Sequence, residues 1–460
     1  MKALAVIDIG KTNVKLIVFS PEGRIVAEVR QPQSVAHRDG LRVLDVEGIG
    51  LWIEGALARL AGQHALCGVM ISTHGCACAL LDDHLGLAAP LLDYEQEIPA
   101  AANDAFQHIA PPFSETCSPD LPGGLNFGRT IFFQEWADPD LATRTRHLMT
   151  YPQYWSLRLA GWQREALASE ISFLGCHSHV WNPLDARFSS LAVRCGWVDK
   201  FPSLKPAGAI LAEHNGLAIH NGVHDSNAAL HSYRSLGFSG FTLISTGTWV
   251  IIFNPDCPLD ALDPARDMLA NVAVDGTPVA TLRFMGGREY DVISQQARAT
   301  VTRAALEDAI ARDIMALPSF AAGGPFPGRS GRVIGPEPAD EATLAAAATL
   351  YIALMTATGL DLVRSSGDII LDGGLAQNAA LCGSLAALRP TQRLYRNSAT
   401  EGTAMGAAAL AFAAHGLTSV FPREVKLAEP WEIKGLEAYR ARWLERVEAD
   451  APSPHPSPAP

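Results

Sequence analysis

Asp8 closes the apolar run in VIDIG and is followed at once by Gly10, Lys11, Thr12, Asn13 and Lys15. A carboxylate at the end of a buried strand can hold Mg²⁺, usually through water, while turn amides, hydroxyls and ammonium groups neutralise a polyphosphate. The simpler reading is a β-hairpin whose aspartate accepts turn N–H groups, and the local residues leave both open. Gly10-Lys11-Thr12 also matches the tail of the phosphate loop G-x-x-x-x-G-K-[ST]. Ala5, however, stands where that loop needs its first glycine, and the following VKLIVF is β-branched and alternating where the loop would open a helix.

Three further stretches could do related chemistry. STGTW, residues 245–249, offers the amides of a turn at Gly247 and the hydroxyls of Ser245, Thr246 and Thr248. HNGVHDSNAAL, residues 220–230, sets Asp225 between an apolar segment and a helix, where it could take the proton of a sugar hydroxyl attacking a phosphate, with His224 on the substrate. Asp is also a preferred helix N-cap, so capping alone would account for it. In LDGGLAQNAAL, residues 371–381, Gly373 and Gly374 let a ring or phosphate approach the backbone, and Gln377 or Asn378 could cap the helix or reach a nucleotide.

STHGCACALLD, residues 72–82, brings His74, Cys76 and Cys78 close together. On one strand the three would share a face, as zinc ligands do, but a fourth ligand and the looser zinc spacing are missing. Core cysteines, with His74 and Gly75 lining a pocket, account for the segment more simply.

The elements that must hold these groups are those of an α/β fold. LAVIDIG, VKLIVF and IVAEVRQ are short β-branched runs closed by turn residues; an amphipathic helix at 46–62 and the apolar strand LCGVMIS follow. FTLIS, a Gly/Thr turn and WVIIFN repeat the strand-turn-strand unit some 235 residues later, which suggests two related α/β domains facing one another. Between them, residues 93–205 are rich in Pro and aromatics, as a substrate-side insertion would be. A long helix is expected near 290–316, and the apolar segment 344–363, which contains Asp361, suits a buried core helix better than a membrane span.

Composition bounds the partners. The net charge is −12 over 460 residues, with no Lys/Arg block, which disfavours nucleic acid and anionic membranes. The eight cysteines are scattered and suit free thiols in a reducing cytoplasm, and Asp8 interrupts the N-terminal apolar run before a signal-peptide core could form.

In this order, VIDIGKTNVK, GVHDSNAA, LISTGTW, LDGGLAQNAAL and EGTAMGAAALA resemble the motifs of the FGGY carbohydrate kinases of the actin-like ATPase superfamily. The similarity spans nearly the whole chain. It implies an α/β fold of two ribonuclease H-like domains facing a central cleft, each a mixed five-stranded sheet with flanking helices. Residues 1–235 would form the first domain, with a sugar-binding insertion at about 93–205. Residues 236–445 would form the second, nucleotide-binding domain, and 446–460 a disordered Pro-rich tail.

The resemblance further implies ATP and Mg²⁺ as cofactors, a small sugar as partner, and room for a homodimer. Asp225 would be the general base and Asp8 the group near Mg²⁺. Lys11, Thr12, Asn13, Lys15, Thr246, Gly247 and Thr248 would meet phosphates, Gly373, Gly374 and Gln377 the nucleotide, and His74, Gly75, His224 and Asn271 the sugar. Within the family the chain is most similar to rhamnulokinases and fuculokinase-like members, through His224-Asp225, STGTW and YPQYWSLRLAG. It departs where those carry Trp-Gly-Val-Asp and this chain has HGCA, so the sugar pocket differs. A kinase acting on a ketose such as L-rhamnulose or L-fuculose is the leading expectation; the alternative is a non-catalytic ATP-binding switch of the actin or heat-shock chaperone type.

Overall fold

The computed structural model describes residues 2–297, 299–338, 340–397, 401–417 and 425–450. The chain divides into two compact units. The first comprises Met1–Ser239, Leu269–Val279 and Glu401–Pro422, and the second Gly240–Met268, Ala280–Thr400 and Arg423–Pro460.

In the first unit the alternating apolar runs pair as their pattern requires. Ala3–Ile9 lies antiparallel to Asn13–Phe19, which lies antiparallel to Ile25–Pro32. On its other side Ala3–Ile9 runs parallel to Leu66–Thr73, which is parallel to both Leu217–His220 and Val223–His224. With Ile210–His214 at the edge, the sheet has seven strands, where five were expected; the additional ones are short pieces at 210–224 whose sequence carries little alternation. Helix Val46–Gln63, capped by the Asp45 side chain on the Gly48 N–H, turns Ile49, Ile53, Leu57 and Leu60 inward.

The expected insertion is a folded part of the same core. Its aromatics Phe106, Phe127, Tyr151, Tyr154, Trp155, Phe173 and Trp197 are fully buried, and three of its helices are Ala100–Gln107, Phe127–Ala137 and Tyr151–Leu159. Burying side chains of that size contributes roughly 2–3 kcal/mol each, which ties the segment into the core of the first unit.

The second unit repeats the arrangement. Phe241–Thr246 is antiparallel to Val250–Asn254 and parallel to Asp368–Gly373, again within a sheet of seven strands. Two helices, Gly286–Ser294 and Arg303–Ala311, stand where one long helix was expected, because Gln295 and Gln296 adopt left-handed backbone (φ 52° and 62°) and stop the first.

Helix Glu341–Leu362 is, among the described residues, the one long and apolar enough to cross a membrane, and 89% of its most apolar window is buried inside the fold. Helix Leu436–Ala449 runs past residue 446, where the tail was expected to begin; residues 451–460 of that expected tail lie outside the described residues. All eight cysteines are free thiols.

Candidate active site

Three parallel strands of the first unit end at one sheet edge. Asp8 is level with Ser72, Ile9 with Thr73, and Thr73 with His224, so Asp8, His74 and Asp225 leave the sheet on adjacent chain ends. Carboxyl ends of parallel strands are where open α/β sheets place ligands. The turn after Asp8 is closed by the Gly10 N–H donating to the Asn13 carbonyl (2.9 Å), and leaves Thr12 and Asn13 exposed.

The two turn lysines have different surroundings. Lys15, the cross-strand partner of Asp8, donates to both oxygens of Glu401 (2.8 and 2.9 Å). Lys11 donates to both oxygens of the buried Asp93 (2.6 Å each) and sits 4.1 Å over the Tyr94 ring. Burial pushes the Asp93 carboxyl up, but hydrogen bonds from Lys11, the Glu95 N–H and Arg42 outweigh it and hold the group below its ordinary value. Lys11 thus anchors the segment 93–95, and its ammonium is engaged there.

Asp8 stands among charges of both signs. Burial pushes its carboxyl up to about 7; Lys15 opposes this, while Asp225 and Glu401 add to it. A single carboxylate at this strand end suits a divalent cation held through water, whose charge would offset its own.

His74 donates its backbone N–H to the Ile9 carbonyl (2.9 Å), and its Nδ1 lies 2.8 Å from the Gly75 carbonyl oxygen. A carbonyl only accepts, so Nδ1 carries the ring proton; burial keeps the ring neutral, with its pKa below the ordinary value. Nε2 is then a buried acceptor with no partner among the described residues, edged by the rings of Tyr94 and Tyr151. Gly75 packs against His224: a Cβ there would stand 2.9 Å from its Nε2.

Asp225 begins the helix Asp225–Arg234 as its first residue, with His224 at the cap position, so it does not fill the N-cap role. Its Oδ1 accepts the N–H (2.6 Å) and hydroxyl (3.2 Å) of Ser226 and lies 3.3 Å from His224 Nε2, while its side chain is 30% exposed. The helix is pinned from behind by helix Gly402–Ala414, where a Cβ on Gly406 would come within 1.9 Å of the Ala228 carbonyl oxygen. Asn271 is buried in strand Met268–Val272, whose Ala270 N–H donates to the Cys117 carbonyl (3.0 Å).

His74, Cys76 and Cys78 do not share a strand face. The strand ends at Thr73, Cys76 turns through left-handed backbone (φ 73°), and a new strand starts at Cys78. Among the described residues no group of three or more His, Cys, Asp or Glu is arranged to hold a metal ion.

In the second unit Gly247 and Thr248 are exposed at the tip of their hairpin. The Thr246 hydroxyl faces inward, donating to the Asp372 carbonyl (2.6 Å) and accepting the Leu375 N–H (3.1 Å), so it ties the two strand ends together. Gly373 has φ 92°, and a Cβ there would meet the Thr246 carbonyl oxygen at 1.9 Å. Gly374 and Gln377 are exposed, and Asn378 caps helix Ala379–Leu388 through the Leu381 N–H.

Asp93, Tyr94, Glu401, Tyr151 and Asn227 entered the site without being singled out from sequence. Glu401 stands directly before the apolar run GTAMGAAALA, and Asp93 directly after the apolar PLL, the same signal that marks Asp8.

Residues 238–419 match the family model of the C-terminal domain of the FGGY carbohydrate kinases. Among solved structures, a carbohydrate kinase from Novosphingobium aromaticivorans is 34% identical, with TM-score 0.86 over 97% of this chain and 99% of that one. A ligand-bound xylulose kinase from Lactobacillus acidophilus (15% identity, TM-score 0.81) matches over 98% of this chain and 99% of its own. Plasmodium falciparum glycerol kinase with ADP (11% identity, TM-score 0.78) matches over the same shares, 98% and 99%. The latter two likenesses are of fold. No curated protein matches the chain.

Proposed function

Because the chain belongs to the FGGY carbohydrate kinase family, whose fold has two actin-like domains, we propose that it phosphorylates a primary hydroxyl of a ketose with Asp225 as general base. The protein is a sugar kinase, a phosphotransferase that uses ATP.

The observation that carries the base assignment is the asymmetry of the Asp225 carboxylate. Oδ1 is committed to Ser226 and His224, while among the described residues none bonds Oδ2, on a side chain that is 30% exposed. A carboxylate held by one oxygen and open at the other can accept the hydroxyl proton as the sugar oxygen attacks phosphorus. His74 Nε2, an acceptor without a partner among the described residues, takes a second sugar hydroxyl, and His224, Gly75 and Asn271 complete the sugar side. Lys15, Thr12 and Asn13 meet phosphate oxygens, while Lys11 acts through the segment it anchors.

Gly247, Thr248, Gly373, Gly374 and Gln377 offer exposed turn backbone and an amide to the nucleotide, with Thr246 fixing the strand ends behind them. The carboxylate of Asp8 fits Mg²⁺, which would offset phosphate charge when bound. A reducing cytoplasm suits the eight free thiols as working compartment.

The pair His224-Asp225 favours L-rhamnulose or L-fuculose as the ketose. An ADP-release assay over L- and D-ketohexoses, their 6-deoxy forms and pentuloses tests this; a response to pentuloses alone would overturn the choice of sugar, and wild-type transfer by Asp225→Asn the choice of base.

A further inference from the structure

We propose that Asn227 is a positioning residue that decides which nitrogen of His224 carries the proton, and through that ring orients Asp225. The inference rests on Asp225 being the base.

Asn227 is fully buried in the first turn of helix Asp225–Arg234. Its Nδ2 lies 3.3 Å from the Ser172 carbonyl oxygen and 3.0 Å from His224 Nδ1. A carbonyl oxygen can only accept, so the amide must present its nitrogen there; reversed, it would set Oδ1 against another acceptor. The same nitrogen therefore donates to Nδ1, which must be bare. A neutral imidazole then carries its proton on Nε2, and burial, which holds the His224 pKa below its ordinary value, favours the neutral ring.

The consequence falls on Asp225. The Nε2–H points into the space shared by Cys176 Sγ (3.5 Å) and Asp225 Oδ1 (3.3 Å). A donor edge beside Oδ1 draws that oxygen toward the ring, leaving Oδ2 for the substrate. With the proton on Nδ1 instead, a lone pair would face the carboxylate and repel it.

Two features show that the amide is held for its donor. Ser172 is fixed by the buried Glu170, which accepts its N–H (2.9 Å) and hydroxyl (2.6 Å) and the Phe173 N–H (3.1 Å). Asn227 Oδ1 is buried without a partner among the described residues, a cost that an apolar residue of similar size would avoid.

The test uses ¹⁵N-histidine-labelled full-length enzyme, with His224→Gln to assign the ring. Wild type should show Nδ1 bare and Nε2 protonated. Asn227→Asp, whose carboxylate accepts from the ring, should move the proton to Nδ1; Asn227→Ala should leave the two tautomers mixed. Both should lower kcat on the order of tenfold, a fraction of what a general base contributes, with KM for ATP unchanged. If Asn227→Asp does not fold, Asn227→Ala carries the test alone. An Asn227→Ala enzyme with the Nε2–H tautomer and wild-type kcat would overturn the inference and leave the base assignment intact. Wild-type transfer by Asp225→Asn would instead overturn the base assignment, while the tautomer measurement would still report on Asn227.

Discussion

Lys15 and Glu401 form an ion pair with Nζ 2.8 Å from Oε1, although 386 residues separate them in the chain. Lys15 is also the cross-strand partner of Asp8, so one ammonium serves two carboxylates. Replacing Glu401 by Gln removes a charge that raises the Asp8 pKa and frees Lys15 to lower it. The Asp8 carboxyl is expected to titrate clearly below about 7 in Glu401→Gln, read by ¹³C NMR of labelled aspartate. An unchanged value would show that Glu401 does not act on Asp8.

The raised Asp8 pKa fixes the sign of a stability change. Folding lifts the group from 3.8 to about 7, so between those values the native state binds the proton and the unfolded state releases it. Stability contributed by this group therefore falls as pH rises through that window and is level above it. Glu170, raised to about 7 by burial, acts in the same direction, so the comparison must be a difference between proteins. In urea unfolding without nucleotide, Asp8→Asn should gain stability over wild type from pH 5 to pH 8 while losing kinase activity. A difference that is flat with pH would contradict the assignment.

Lys11 separates anchoring from phosphate binding. If its ammonium holds the segment 93–95 through Asp93, Lys11→Met should raise KM for the sugar by about tenfold and leave KM for ATP within about twofold. The reverse pattern would return Lys11 to the phosphates.

Gly373 tests the second unit. Alanine there meets the Thr246 carbonyl oxygen at 1.9 Å and must hold φ 92°, a strain of roughly 1–3 kcal/mol before the clash is added. Gly373→Ala should lower the melting temperature and raise KM for ATP more than KM for the sugar. A variant with wild-type melting and ATP kinetics would show that this close approach is dispensable.

What could be read from sequence followed the range of the interactions. Asp8 at a strand end, the hairpin turn and the second copy of the unit near Ser245 were legible because strand alternation and turn residues are local. The break at Gln295 and Gln296 was not, since left-handed stops without glycine leave no compositional mark. Cys76 likewise hid a turn inside an apparent strand. The Lys11–Asp93 and Lys15–Glu401 pairs join residues far apart in the chain, and residue type alone suggested phosphate for both lysines. The sequence offers the Thr246 hydroxyl to a phosphate, whereas its place at the strand end brings it onto the Asp372 carbonyl. For Asp225 the local pattern suggested a cap, and only its place as first helical residue separates the two roles.

The central claim is sugar-dependent phosphoryl transfer governed by Asp225. Its most direct test is coupled ADP release with MgATP and a panel of ketoses, run side by side on wild type and Asp225→Asn. Wild type should release ADP in response to at least one ketose, with the variant slower by about 10²–10⁴-fold at similar KM for ATP. ATP binding without any sugar-dependent release, or an Asp225→Asn enzyme as fast as wild type, would contradict it.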